Sequence, residues 1–90
     1  MNNFNKNRVI VNQEVSVPEL YFKSEGQLKS YPRRMEFGGR EYTFMDGLRY
    51  LVHKGLRGAT QVFDMTDGAR DYRLQFNSGE QSWTLVDMTV

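Results

Sequence analysis

Cysteine is absent from the chain, proline occurs twice, and histidine and tryptophan occur once each. Without cysteine there are no disulfides and no thiolate metal sites, so hydrophobic burial alone must offset the conformational entropy of the chain. A lone histidine, His53, leaves little material for general acid–base or triad chemistry. No apolar run approaches the roughly 20 residues that a membrane-spanning helix needs. The start, Met1-Asn-Asn-Phe-Asn-Lys-Asn, has no apolar core of the kind a signal peptide carries. These absences lead to the expectation of a soluble, cytoplasmic, non-enzymatic protein that needs no metal and no cofactor.

What is present is aromatic: 13% of the 90 residues are Phe, Trp or Tyr. Each such ring covers a large area with few rotatable bonds, which suits a small core. Net charge is +1 and unevenly spread. Residues 1–32 carry four basic and three acidic groups, residues 33–57 six and three, and residues 58–90 two and five. The middle third is therefore basic and the last third acidic, a contrast too mild for a nucleic-acid-binding arm.

The polar, Asn-rich residues 1–7 read as a mobile tail, and 8–90 as a single domain. Val9, Val11, Val15 and Val17 alternate with polar residues, as in one long bent strand or two short ones, and Pro18 places that segment at a sheet edge. Gly38-Gly39 signals a tight hairpin within residues 31–44. In that hairpin Phe37 faces Arg40, Met35 faces Tyr42, Arg33 faces Phe44 and Glu36 faces Glu41. Met45, Leu48, Leu51 and Val52 then fall at helical spacing, with Thr43 or Asp46 as cap and Gly55 as terminator, which predicts a short helix over 45–54. Asp67-Gly68 and Asn77-Ser78-Gly79-Glu80 punctuate three further strands. Alternation sets Leu74 against Trp83 and Tyr72 against Leu85. The expected fold class is α+β, a curved antiparallel sheet of about five strands covered by a single helix, in the order strands, hairpin, helix, three-stranded meander.

Arg33, Arg34, Arg40, Arg49, Lys54 and Arg57 interleave with Tyr31, Tyr42 and Tyr50. Charge for phosphates and rings for bases is the mixture that single-stranded nucleic-acid surfaces use. The residues expected to carry such a role are Arg34, Arg40, Arg49, Lys54 and Arg57 as phosphate contacts, with Tyr50 as a stacking platform. Against it stands the plainer reading of a solvated basic surface over buried rings. Gly55-Leu56-Arg57-Gly58 is read as a helix terminator before it is read as a phosphate loop. Asp64, Asp67 and Asp71 lack the spacing of a calcium loop. A second expectation is a protein-interaction or regulatory module, self-associating as a homodimer through a sheet edge or through Val86, Met88 and Val90. Those three alternate onto the face opposite Trp83 and Leu85.

The string Pro32-Arg33-Arg34-Met35-Glu36-Phe37-Gly38-Gly39-Arg40-Glu41-Tyr42, followed by Tyr72-Arg73-Leu74 and Trp83-Thr84-Leu85, resembles a group of small bacterial domains of unknown function. Their pattern is P-x-x-F-x-W-x-G-x-x-Y, a helix, Y-x-[VL] and a final W-x-L. The resemblance spans residues 31–86 and departs at Met35 and Phe37, where the pattern has Phe and Trp. It implies an architecture and no activity.

Overall fold

Seven strands follow one another in the chain: β1 (Arg8–Ser24), β2 (Leu28–Phe37), β3 (Arg40–Thr43), β4 (Asp46–Gly55), β5 (Gly58–Thr66), β6 (Asp71–Asn77) and β7 (Ser82–Thr89). The computed structural model describes residues 7–24, 26–56 and 58–90. All strand pairs are antiparallel, in the order β3-β2-β1-β7-β6-β5-β4. The fold is thus all-β, and the expected α+β class with a covering helix is overturned. The mobile-tail reading of residues 1–7 falls almost wholly outside the described residues.

The segment 45–54, expected to be helical, falls instead in the strand Asp46–Gly55, joined to β5 through nine residue pairs from Asp46↔Thr66 to Gly55↔Gly58. A helix this short would have been marginal in isolation, with Gly47 weakening it further. Pairing with β5 satisfies the same backbone groups with tertiary support. The apolar residues misled because the half-buried inner-face positions of β4 are Gly47 and Arg49 while Leu48, Leu51 and Val52 are exposed, so no apolar alternation marks its covered face.

The long strand β1 works as a hinge. Its first half pairs with β7 (Arg8↔Thr89 through Val15↔Trp83) and its second half with β2 (Ser16↔Glu36 through Ser24↔Leu28). Asn12, at a φ of 50°, lies in an irregularity of the first ladder. Asparagine is among the few residues with a side chain that tolerate this region. Pro18 falls just beyond the end of the β1–β7 ladder at Val15, where β1 has a paired neighbour only on the β2 side. It lies within a break of register between Ser16 and Glu19, where no ladder bond needs its missing N–H. The β2–β3 hairpin matches its sequence reading: Phe37↔Arg40, Glu36↔Glu41 and Met35↔Tyr42 pair, and Phe44 N donates to Arg33 O at 2.7 Å. Gly38 and Gly39 both take positive φ, 61° and 78°, as a two-residue hairpin turn requires.

The meander β5-β6-β7 forms, but in another register. Phe76, not Leu74, faces Trp83, and Leu74 faces Leu85. The turn holds four residues between Asn77 and Ser82, with Asn77 Oδ1 accepting from Glu80 N at 3.1 Å and Gln81 at a φ of 53°. Val86 is then skipped, so Tyr72 pairs with Met88.

The sheet curls so that its two ends face each other across a filled interior. Tyr31 on β2 meets Phe63 on β5 (ring centroids 6.0 Å), and Tyr72 on β6 meets both Tyr42 on β3 (5.6 Å) and Phe44 (5.2 Å). Met35, Met65, Leu74 and Leu85 complete the buried set. The edge strands β3 and β4 are linked by Phe44-Met45 alone. Lys23 clamps the start of β4, donating to Asp46 Oδ1 at 2.8 Å and to Gly47 O at 3.1 Å. That hydrogen bond holds Lys23 above its ordinary pKa and is the main cause that holds Asp46 below its own.

Two predictions test this packing. A Cβ on Gly47 would lie 2.6 Å from the Asp64 carbonyl oxygen and against the Met65 sulfur. Gly47→Ala should therefore cost about 1–3 kcal/mol by overpacking, read from urea unfolding; an unchanged midpoint would contradict the close approach. The second concerns Tyr72, whose hydroxyl donates to Asp67 Oδ2 at 2.7 Å. Burial, then the Asp67 carboxylate, push it up from 10 to about 12. Burial alone would also raise Asp67, but donors from Arg70 N, the Tyr72 hydroxyl and Ala69 N outweigh it and hold that carboxyl low. Because Tyr72 ionises later when folded, its contribution to stability is full below the unfolded value and is lost as pH rises through about 12. Tyr72→Phe should flatten that alkaline loss in unfolding curves; an undiminished loss would place its origin elsewhere.

Candidate interaction edge

Strand β4 has a neighbour on one side only. Leu48, Tyr50, Leu51 and Val52 are all exposed, at 63%, 43%, 59% and 61%, and Leu56 in the following turn is fully so. Gly47, Arg49 and Leu51 fall on the inner face, opposite Met65, Phe63 and Gln61, while Leu48 and Tyr50 fall on the outer face, opposite Asp64 and Val62. Between Leu51 and His53 the register slips, leaving Val52 without a β5 partner.

The outer face beside β4 is tied down by charge. Tyr50 donates its hydroxyl to Asp64 Oδ2 at 2.6 Å, and Arg73 donates Nε to Asp64 Oδ1 at 2.8 Å. Further along the same face, Arg8 donates Nε to Asp87 Oδ1 at 2.9 Å. Burial would raise Asp64, but Arg73 and Tyr50 together hold its carboxyl below the usual range. The bond to Asp64 in turn raises the Tyr50 phenol. This row fastens β4 to the sheet and leaves its far side open.

Of the six residues expected to contact nucleic acid, the five described ones are distributed over three strands. Arg34, on β2, lies 3.4 Å from Glu19. Arg40 is exposed at the start of β3, at the opposite edge of the sheet from β4. Arg49 and Tyr50 are on opposite faces of β4, the latter held by Asp64. Lys54 is exposed near the β4–β5 turn, and Arg57 lies outside the described residues. Arg33, on the inner face, sits over the Tyr21 ring at 4.3 Å. Of the C-terminal trio, Val86 is the skipped, half-buried residue of β7. The skip brings Met88 round against the core instead of opposite it, and only Val90 is exposed. β7 lies between β1 and β6, so it offers no edge.

Shallow clefts are present among the described residues. One, about 540 Å³, is lined by His53 and the glycines of the β4–β5 turn beside Asn77 and Glu80. A second, about 350 Å³, lies beside Asp46, Asp64 and Arg73, and a third, about 440 Å³, beside the tip of the β2–β3 hairpin. Among the described residues, no three His, Asp or Glu side chains gather to hold a metal ion. No helix is long and apolar enough to cross a membrane. The β4 edge is what sequence reasoning missed. A signal for it was present in the apolar run Leu51-Val52 and the two flanking glycines, Gly47 and Gly55, which suit a strand better than a helix.

With one neighbouring strand and exposed side chains, β4 should show the fastest amide exchange of the long strands, and β6 and β7 the slowest. Hydrogen exchange read by NMR checks this; protection in β4 equal to that in β6 would show that the edge is covered. No protein-family model matches the chain, nor does any curated protein or solved structure, so the resemblance of residues 31–86 adds nothing to what this geometry says of function.

Proposed function

We propose that this protein is a non-catalytic interaction module of the cytoplasm that binds an extended protein segment along the free edge of β4. The observation that carries the reading is the combination on one strand of a free edge and four exposed large side chains, Leu48, Tyr50, Leu51 and Val52. An added strand draws affinity from main-chain hydrogen bonds and specificity from alternate side chains. Monomeric proteins usually blunt such an edge with charge, proline or a cover. Over residues 46–52 only Asp46 and Arg49 are charged, and there is no proline.

The nucleic-acid reading has less support. Of its described arginines, Arg34 lies on β2 beside Glu19, Arg40 on β3 and Arg49 on β4, and the Tyr50 hydroxyl is engaged. The same is true of partner binding through Val86, Met88 and Val90, since Met88 packs inward.

The test is selection of extended peptides from a randomised library against the protein, followed by mapping of their amide shifts. Binding should perturb residues 46–55 and weaken at least about tenfold in the Leu48→Lys/Leu51→Lys variant, whose exposed substitutions leave the core untouched. Failure to select a binder, or binders that map elsewhere and hold the variant equally well, would overturn the reading.

A further inference from the structure

The slip in β4 decides what kind of segment suits its edge. In a regular strand Arg49 and Lys54, five residues apart, would turn to opposite faces. Because Val52 is left out of the pairing, Arg49 stands opposite Phe63, Leu51 opposite Gln61 and Lys54 opposite Ala59. Those three residues of β5 alternate onto one face, the inner one on which Phe63 is buried, so Arg49, Leu51 and Lys54 share it. A bulge re-aims side chains in this way. The result is a row of cation, apolar residue and cation along the free edge. Its charges are about 14 Å apart, the rise of four extended residues.

Resting on the reading of β4 as the interaction edge, we infer that its partner is an extended protein segment with acidic residues at positions i and i+4 and three apolar residues between them. Among the described residues, no carboxylate lies within ion-pair distance of Arg49 or Lys54. Asp46, on β4 itself, is engaged by Lys23, and Asp64, on β5, by Tyr50 and Arg73. Glu80 lines the cleft beside His53, and no ion pair joins it to either cation.

An added strand sets its side chains beside those on the same face of β4, where opposite charges are favourable and like charges are not. The two acids of the segment fall beside Arg49 and Lys54, and its central residue falls beside Leu51. The remaining two share the outer face with Tyr50. Leu51, exposed at 59%, loses water in the process. The Gly47 carbonyl is already taken by Lys23, which leaves the stretch from Leu48 to Lys54 for pairing, enough for five residues. The pattern reads the same in both directions, so it fits a parallel or an antiparallel addition. A nucleic-acid strand fits the row less well, since it carries charge at every nucleotide and would set charge beside Leu51 too.

The test uses three synthetic peptides, Thr-X-Val-Ile-Val-X-Thr with X as glutamate, glutamine or lysine, titrated into the isotopically labelled protein. The glutamate peptide should shift the amides of residues 46–55 and bind at least about tenfold more tightly than the lysine peptide, with glutamine between. Raising the salt concentration should narrow that gap. Lys54→Glu, at an exposed site, should reduce the glutamate preference at least about threefold, and Arg49→Glu added to it should reverse the order. Circular dichroism checks that each variant folds. Where the double variant does not, the three peptides on the unmodified protein and on Lys54→Glu decide.

Equal affinity for the three peptides at residues 46–55, or a preference for lysine, would overturn the acidic partner and leave the edge reading standing. A glutamate preference undiminished in Lys54→Glu would overturn it as well, since other charges would then be selecting. So would a single-stranded oligonucleotide that shifts the same amides at lower concentration than the glutamate peptide. If none of the three peptides shifts residues 46–55, the inference falls, and selection from the randomised library decides whether the edge reading falls with it.

Discussion

Tyr31 of β2 touches Phe63 of β5 although three strands, β1, β7 and β6, separate them in the sheet. That contact, with the parallel one from Tyr42 and Phe44 to Tyr72, is the constraint on which the rest of the molecule depends. A flat seven-stranded antiparallel sheet would leave one apolar face in water. Without a helix or a second sheet to cover that face, the sheet must curl until its two ends pack on each other. Aromatic residues suit the task because a few large rings fill a narrow interior with little loss of rotamer freedom. The chain of rings from Tyr21 through Tyr31 and Phe63 to Trp83 and Phe76 runs across the concave face as one packed layer.

Curling in turn requires that β1 bend and change partners, and its sequence contains the means. Asn12 with its positive φ loosens the ladder to β7, and Pro18 loosens the ladder to β2. Either would weaken a straight central strand; in a strand that must turn a corner they relieve strain. Lys23 then fixes the far end of β1 to the first turn of backbone in β4, stacking over Tyr31 as it does so (4.5 Å to the ring centroid). The ion pair with Asp46 is partly solvated, so its main contribution is positional: it determines where β4 begins relative to the curl.

Where burial differs between the two faces of a strand, the sequence was legible. Met35 and Phe37 alternating with Arg34 and Glu36 gave the β2–β3 hairpin residue by residue, because the double-glycine turn leaves one register open. Tyr72, Leu74 and Phe76 gave β6 for the same reason. Its pairing with β7 could not be read with equal accuracy, since Asn77-Ser78-Gly79-Glu80 permits turns of different length and a slip of two residues keeps every side chain on its face. Val86 was illegible for a related reason: a bulge inserts one residue without any special side chain to announce it, and so inverts the facing of Met88. β4 was misread altogether because its half-buried positions are Gly47 and Arg49, so its apolar residues do not alternate with its burial. The basic residues could be counted in sequence but not placed, because curling and strand order, neither of them local, decide which of Arg34, Arg40, Arg49 and Lys54 share a surface.

The feature that made β4 illegible is also the one on which the proposed use of this strand rests. A strand whose apolar residues show no inward preference is one whose own fold does not bury them. Leu48, Leu51 and Val52 contribute little to the core, and their removal would leave the ring layer intact. Retaining them in water raises the free energy of the isolated chain relative to any state that covers them. The flanking features limit what can do the covering. Lys23 and Asp46 fix one end of the strand, the slip at Val52 breaks its regularity near the other, and β3 is too short to serve as a matching edge. What remains open is a short stretch of regular edge, a geometry that suits a short added strand and not the extended stacking that a long, flat edge invites.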